Sequence, residues 1–417
     1  MSQTLETLCN FINGGAWSDK EYVTTGIPVL KVSNLKVEGI DFSNINYIAE
    51  SSLSKYSKHL LAKDDLVIAT VGSHPSLVNS AAGRATIIST LAAGYLLNQN
   101  AVLLRSKDEK VLNQKYLSFL GKTNNFQHYI QQRGKGAANQ MRIAIGAIKE
   151  FEIKLPPINE QHRIASILSA YGDLIENNSK RIKLLEELAQ RTYEEWFVKF
   201  RVNGVQSEIG ENGLPEGWHD VELIKLIKFY KGKKANLINS EYREGLVKLL
   251  LLNGIESGVY PYTEPKGQVL VERTDLIMLM DGARSSKVFF ADKGAVGSTL
   301  SKIEILDERI SSSLLKLYFD KNFDWMQTNN TGAAIPHANK SFINSMPFLL
   351  PTDIILVSWK KKIDPIFKQI QTLKDQNLLL KESRDILLPR LMSGKIDVDK
   401  EVLGMVADVH NKYLIQK

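Results

Sequence analysis

The chain has 417 residues, a length that predicts two or three domains at roughly 150 residues per domain. Apolar residues make up 43% and charged residues 24%, which is typical of folded globular proteins and excludes a disordered or collagen-like chain. The net charge of +7 and the pI near 9.1 fit a polyanionic partner such as nucleic acid. The single cysteine, Cys9, excludes a disulfide framework and suits the reducing cytoplasm.

No membrane or secretory segment is visible in the sequence. The first residues, MSQTLETLCNF, contain neither the basic nor the apolar part of a signal peptide. No stretch approaches the roughly 18 apolar residues that a membrane span needs. We therefore expect a soluble, cytoplasmic protein.

In chain order, the pattern alternates between mixed segments and long helices. Residues 1–157 contain strand-like runs such as IPVLKVSNL and a helical stretch at 113–132, which predict a mixed α/β domain. Residues 158–203 predict a long helix, residues 204–351 a second mixed α/β domain, and residues 352–417 a distal helix with a C-terminal tail. Each helix of some 35 residues would be about 50 Å long.

Both long helices carry an alternating four-three spacing of apolar residues, which is the seam of a coiled coil. The first seam comprises Ile164, Leu168, Tyr171, Ile175, Asn178, Ile182, Leu185, Ala189 and Trp196. The second comprises Ile366, Ile370, Leu373, Asn377, Leu380, Arg384, Leu387 and Leu391. The seam residues Asn178 and Asn377 are suited to fixing helix register. For Pro365 we expect either a first-turn position, with Asp364 as the N-cap, or a kink.

An internal repeat relates the two halves of the chain. DDLVIATVG, ending at Gly72, matches TDLIMLMDG, ending at Gly282, and Phe11 and Gly14 match Phe229 and Gly232. A Gly-Ala-Ala segment recurs at 136–138 and 332–334, and LPPINEQ and LLPTDI each precede a long helix.

Motifs for catalysis are missing from the sequence. It contains no P-loop, no H-E-x-x-H and no G-x-G-x-x-G, and its seven histidines lack metal-ligand spacing. Glu152 and Lys154 form a nuclease-like E-x-K triplet, but such triplets occur by chance, and a solvated strand explains it better. We expect no catalytic residue, no metal and no cofactor on this chain.

Basic and amide side chains suggest where nucleic acid would bind. Arg, Asn and Gln can read base edges in the major groove, whereas Lys and Ser mostly contact phosphates. A solvated surface remains the alternative for each residue. The candidates are Lys31, Ser33, Asn34, Arg84, Arg133, Lys135, Asn139 and Gln140 in the first domain, and Lys231, Lys233, Lys234, Asn253, Arg284, Ser285 and Lys287 in the second.

Three segments resemble specificity subunits of type I restriction–modification systems. LPPINEQHRIASIL (155–168) resembles the start of their central helix, LPEGWHDVEL (214–223) the start of their second target-recognition domain, and LLPRLMSGKI (387–396) the end of their distal helix. The likeness covers essentially the whole chain. The first domain lacks a counterpart of LPEGW, and the second repeat has LLPTDI in place of LPPINEQ.

The resemblance implies two α/β target-recognition domains separated by two helices that pair as an antiparallel coiled coil, with a pseudo-twofold internal repeat. It implies a noncatalytic subunit that reads a bipartite, asymmetric target in double-stranded DNA, one half per domain. The partners it implies are modification subunits, two in number, and a restriction subunit. S-adenosylmethionine, ATP and Mg²⁺ would be bound by those partners.

Other functions remain open from the residues alone. A coiled-coil scaffold that binds proteins would show no preference for duplex DNA, and a stand-alone nuclease or methyltransferase would need an active site that is not visible. Ile167, Trp196, Phe197 and Trp359 are candidates for docking the modification subunits, although packing of helix against domain would explain them equally well.

Overall fold

The computed structural model describes residues 2–36, 39–73, 80–137, 140–332, 334–396 and 398. The chain divides into two compact units, one of Met1–Ile175 with Leu379–Lys417 and one of Glu176–Leu378. This division cuts both long helices, so each unit contains one globular domain and one segment of each helix. Within the described ranges, no helix combines the length and apolar character needed to cross a bilayer.

The first domain is built on two four-stranded sheets. In spatial order, the central sheet comprises Ala85–Ile87, Leu66–Ala69, Ala101–Ser106 and Cys9–Asn13, all antiparallel. The second sheet comprises Leu96–Leu97, Ile27–Leu30, Asn46–Ile48 and Tyr22–Val23, with one parallel pair between the first two strands. The α-helices are Leu5–Leu8, Leu53–Tyr56, Gln114–Gly121, Asn124–Gln132 and Ile145–Lys149.

The second domain has a central sheet of the same strand order, which confirms the internal repeat. Its strands are Val288–Phe290, Leu276–Leu279, Leu300–Ile305 and Ile227–Lys231. The second sheet comprises Tyr262–Thr263, Val247–Leu250, Gly294–Val296 and Leu270–Val271, again with a parallel pair, here between its two middle strands. The α-helices are Leu252–Ser257, Ser312–Lys321, Phe323–Thr328 and Lys340–Ser345.

Shorter strand pairs complete the two domains. An edge pair joins the beginning and end of each domain, and three further small sheets lie elsewhere in the chain. The edge pairs are Gln3–Thr4 with Glu152–Ile153 and His219–Glu222 with Pro347–Leu350. The small sheets are Leu35–Lys36 with Gly39–Ile40, Arg201–Val202 with Val205–Gln206, and Lys135–Ala137 with Gln140–Arg142 and Val71–Gly72.

The central strands are uninterrupted apolar runs because both of their faces are buried. In Leu66–Ala69, Leu66 and Ile68 face a core shared with helices, while Val67 faces a second core. The strand Leu276–Leu279 divides its side chains between two cores in the same way. A strand covered on both faces loses the alternation of polar and apolar residues that marks a solvent-exposed strand.

Two matched glycines mark where the two sheets approach each other in each domain. A Cβ on Gly14 would lie 1.9 Å from the Asn98 carbonyl oxygen, and one on Gly232 would lie 2.2 Å from the Gly297 carbonyl oxygen. Both distances are far inside van der Waals contact, so only glycine fits. The repeat therefore retains glycine for a steric reason.

The long helices span Ile158–Tyr193 and Asp353–Met392, and one π-helical turn, Glu194–Val198, follows the first. Every predicted seam residue is buried or half-buried. In the second unit, the Asn178 side-chain amide donates a hydrogen bond to Asn377 Oδ1 (3.0 Å), and Glu186 pairs with Lys374 (3.3 Å). Between these two contacts the residue numbers rise along the first helix and fall along the second, so the helices pair antiparallel in this unit, as predicted.

The first-turn position expected for Pro365 is wrong. The distal helix begins at Asp353, so Pro365 lies in its interior, and Asp364 accepts a hydrogen bond from Ser313 Oγ (2.5 Å) instead of capping the helix. Both Pro365 and Lys361, whose carbonyl loses its helical partner, are exposed. Water can therefore satisfy that carbonyl, which makes the interior proline tolerable.

Candidate nucleic-acid interface

Three loops of the first domain meet at one surface, which we call the first loop surface and which comprises the described residues 31–36, 39–41, 70–73, 80–84, 133–137 and 140–142. The Arg84 guanidinium donates hydrogen bonds to the Leu35 and Ser80 carbonyl oxygens, which ties the first loop to the second. The strand pairing of Arg142 with Val71 ties the third loop to the second. The first two loops follow the strands Ile27–Leu30 and Leu66–Ala69, and the third follows the helix Asn124–Gln132, so sheet and helix together position the surface.

The first of these loops contains three predicted residues with different surroundings. Asn34 is buried, accepts a hydrogen bond from the Lys31 amide (3.0 Å) and donates one to the Asp41 carbonyl (3.0 Å). Its amide therefore shapes the loop. The Lys31 ammonium donates to Asn46 Oδ1 (2.9 Å), whereas Ser33 is exposed.

Arg84 also has a structural part in this surface. It is half-buried, and burial lowers the pKa of its guanidinium. Because its N–H groups donate to main-chain carbonyls, they hold loops together. A base contact by Arg84 would require breaking these bonds.

The hairpin of the third loop presents its basic residues to solvent. Arg133 is exposed and stacks on the Tyr129 ring, with its guanidinium carbon 3.5 Å from the ring centroid. Lys135 is exposed as well, and Gln140 lies on the returning strand. Asn139 lies outside the described residues.

The second domain assembles a matching second loop surface from residues 251–258, 281–287 and 327–340. Arg284 pairs with Glu256 (2.5 Å), which joins the first two loops and raises the pKa of Arg284. The Asn330 amide donates to Ser285 Oγ (2.8 Å), which joins the second and third loops. As in the first domain, the first two loops follow equivalent strands, Val247–Leu250 and Leu276–Leu279, and the third follows a helix, Phe323–Thr328.

Predicted residues in the second loop surface differ in accessibility. Ser285 is fully buried and accepts a hydrogen bond from Asn330, so it stabilises the packing of the loops beneath the surface. Asn253 and Arg284 are exposed, although Arg284 is paired with Glu256, and half-buried Lys287 lies 5.7 Å from the Phe289 ring centroid. The surface also includes a hydrogen-bond contact between His337 Nδ1 and Asp281 Oδ1 (2.7 Å).

The lysine cluster at 228–234 lies along the edge strand Ile227–Lys231 of the central sheet and continues past its end. Lys231, Lys233 and Lys234 are exposed, and Lys233 donates to the Gly267 carbonyl (2.7 Å). Lys231 is a neighbour of Lys340, whose pKa is lowered by burial and by the positive charge of Lys231. This end of the cluster therefore borders the second loop surface.

Two further basic residues, Arg142 and Lys340, lie in the loop surfaces without being among the candidates named from the sequence. Arg142 is exposed and follows the Gly-Ala-Ala segment of the first half, and Lys340 follows the equivalent segment of the second half. Extending the repeat a few residues past each segment would have identified both positions.

The two loop surfaces differ in charge. The described residues of the first surface include six basic ones and one acidic one, Asp41. The second is close to neutral and is rich in asparagine and serine. A basic surface favours phosphate contacts, whereas amides and hydroxyls favour hydrogen bonds with little dependence on salt.

Three of the four predicted docking residues are not accessible to a partner. Trp196, Phe197 and Trp359 are buried in the core of the second domain, so their prediction as docking residues is wrong. Their rings pack against one another because this core joins the helices to the domain. Ile167 is half-buried and packs against the core of the first unit.

The E-x-K triplet has a structural explanation, and no metal site is found in the described part of the chain. Glu152 of the E-x-K triplet lies on the edge strand and accepts a hydrogen bond from Ser2 Oγ (3.1 Å). Among the residues that the structure covers, no three His, Cys, Asp or Glu side chains are grouped to hold a metal ion.

Comparison with known proteins gives one consistent family. Residues 2–187 match the model of the type I restriction modification DNA specificity domain. The putative type I restriction enzyme MjaX specificity subunit of Methanocaldococcus jannaschii is 24% identical over 408 residues, 94% of this chain and 93% of the relative. The MjaIX specificity subunit of the same organism is 24% identical over 311 residues, 68% of this chain and 69% of the relative.

A solved structure has the same fold. The crystal structure of the type I restriction-modification system S subunit from M. genitalium aligns with a TM-score of 0.61 at 16% identity. The alignment covers 94% of this chain and 95% of that one.

Proposed function

We propose that this chain, whose sequence is similar to those of type I restriction–modification specificity subunits, reads a bipartite, asymmetric DNA target with one half for each domain. Specificity would then depend on two separate surfaces on one chain. The chain itself would carry no catalytic step.

The observation that carries this proposal is the repetition of the loop surface. In each domain two loops follow equivalent strands and a third follows an equivalent helix. Hydrogen bonds and ion pairs tie the three together, through Arg84 in the first domain and Arg284 and Asn330 in the second. The side chains differ between the two surfaces while the scaffold is retained. Two similar scaffolds with different contact residues are suited to reading two different half-sites.

The helices would position the partner subunits. Exposed apolar side chains remain on both helices in the second unit: Leu184 and Leu188 one turn apart on the central helix, and Ile354 and Val357 on the distal helix. Apolar residues left exposed on a helix favour docking of another protein. We propose that two modification subunits and a restriction subunit assemble here, and that they bind S-adenosylmethionine, ATP and Mg²⁺ for adenine methylation and DNA cleavage.

The test is to assemble the chain with its modification subunits and to map every methylated adenine in duplex DNA. The proposal predicts two short specific sequences separated by a fixed number of unspecified base pairs. DNA affinity should fall on the order of tenfold or more between low and physiological ionic strength. A single continuous target, or an affinity that does not change with salt, would contradict the proposal.

The scaffold alternative makes the opposite prediction in the same experiment. A coiled-coil protein that binds only proteins would assemble with its partners without any preference for duplex DNA. Loss of specific methylation on mutation of Arg133 and Lys135 to alanine, with assembly intact, would exclude the scaffold.

A further inference from the structure

The same turn precedes the central strand in both domains and presents a basic residue to a long helix. In the first domain, the Ala62 amide donates to Asp65 Oδ2 (2.6 Å). In the second, the Glu272 amide donates to Asp275 Oδ2 (2.9 Å). A side-chain bond of this kind fixes a turn, and the second residue of each turn is basic, Lys63 and Arg273 respectively.

Each of these basic residues pairs with an aspartate on the long helix that follows its own domain. Lys63 Nζ lies 3.5 Å from Asp173 Oδ1 on the central helix. Arg273 makes two hydrogen bonds, of 2.7 and 2.5 Å, to the two carboxylate oxygens of Asp375 on the distal helix. Both pairs join a globular domain to a helix within one compact unit.

The two aspartates occupy the same heptad position. Asp173 lies midway between the seam residues Tyr171 and Ile175, and Asp375 lies midway between Leu373 and Asn377. In the repeat, Tyr171 is equivalent to Ile366, so position 173 is equivalent to position 368. Asp375 therefore lies seven residues, or one heptad, farther along its helix than a strict copy of Asp173 would. The ion pair thus recurs on the same helix face but is displaced along the helix axis by about 10 Å.

The second pair is the better built of the two. Arg273 Nε also lies 3.3 Å from Asp292 Oδ1, and Asp292 pairs with Lys248 (3.1 Å). A planar guanidinium that holds a carboxylate through two bonds restricts the angle between the groups as well as their separation. A lysine, as at position 63, restricts only the separation.

We propose that Lys63–Asp173 and Arg273–Asp375 are positioning residues that hold each domain on its helix, the second pair fixing the angle as well as the separation, and so set the accepted gap between the two half-sites. This inference rests on the proposed function, because a gap exists only if the target is bipartite. The residues lie outside both loop surfaces, so they would act on the gap and leave the recognised bases unchanged.

The test uses the complex assembled with its modification subunits and duplexes in which the gap is one or two base pairs shorter or longer than in the mapped target. For Arg273→Ala, the ratio of methylation rates for the correct and altered gaps should fall about two- to fivefold, a size expected for a well-formed but partly exposed ion pair. Asp375→Ala should lower the ratio as well, and the double variant should be no worse than Arg273→Ala alone, because the Arg273–Asp375 interaction is already absent from that variant. Arg273→Lys should recover part of the ratio.

Lys293→Ala is the matched control. It removes an ion pair with Glu272 (3.1 Å) beside the same turn, but this pair does not reach a helix. The control should keep the full gap preference, and all variants should melt within a few degrees of the unaltered complex. Unchanged gap ratios in Arg273→Ala, or additive effects of the two alanines, would overturn the inference while leaving the proposed function intact. Absence of any gap preference in the unaltered complex would overturn both.

Discussion

Truncation of Trp359 to alanine tests whether the helices are built into the core of the second domain. The side chain is fully buried, its indole N–H donates to Ser313 Oγ (3.1 Å), and its ring lies 5.0 Å from the Phe197 ring and 5.7 Å from the Trp196 ring. Replacing a fully buried tryptophan with alanine typically costs about 3–5 kcal/mol. For a unit of this size, each kcal/mol lowers the melting temperature by about 2–4 °C, so we expect a decrease of about 10 °C.

The assay is thermal unfolding of the purified chain, followed by circular dichroism. Trp325→Ala is the control, because Trp325 is 44% exposed and should cost about 1 kcal/mol or less. The reasoning would be refuted if Trp359→Ala melted like the unaltered chain and instead failed to bind a modification subunit. That result would identify Trp359 as a docking residue after all.

Three further predictions follow from local geometry. Cys9 is buried, and that burial raises the pKa of its thiol to about 12. At pH 8 the native protein should therefore not react with a thiol reagent, whereas the unfolded chain should. Rapid reaction of the native protein would contradict the buried position. Gly172 lies in the central helix with open space around the position of an added Cβ, so Gly172→Ala should raise the free energy of unfolding in urea by about 0.5–1 kcal/mol. Gly14→Ala should lower the free energy of unfolding by several times that amount, and equal effects of the two variants would refute the steric argument. Asn178→Leu removes the donor to Asn377 Oδ1, although the Asn377 amide still donates to Ser179 Oγ (3.3 Å), and should cost about 1–3 kcal/mol, while a second change, Asn377→Leu, should recover most of that loss; a double variant less stable than the single would show that the pair matters beyond its hydrogen bond.

The heptad spacing and the repeat were the parts of the fold that the sequence predicted well. A helix that buries one face must repeat apolar residues every three to four positions, and both seams could be read from that spacing alone. The matched segments at Gly72 and Gly282 likewise predicted equivalent central strands, and both precede their glycine in the structure.

What periodicity could not predict is the surface against which a side chain is buried. From the sequence, Trp196 and Trp359 fit either docking of a partner or packing of helix against domain. The structure places both in the core of the second domain, a contact formed by residues distant in sequence. Pro365 could not be placed because its cost depends on whether the freed carbonyl reaches water, which only the tertiary structure decides.

The same limit applies to the candidate interface. Residue type pointed to Asn34, Arg84 and Ser285, and the structure places them in or beside the loop surfaces with their polar atoms bonded within the domain. Exposed residues such as Ser33, Lys135 and Asn253 stay predictions for DNA contact. Distinguishing the two groups requires the hydrogen-bond partners, which are set by loops far apart in the chain.

The central claim is that each domain reads one half of the target. Its most direct measurement is to exchange residues 1–157 for the corresponding domain of another specificity subunit and to map methylated adenines in the assembled complex. The account predicts that one half of the recognised sequence changes while the other half stays the same. A change in both halves, or in neither, with methylation still occurring, would contradict it.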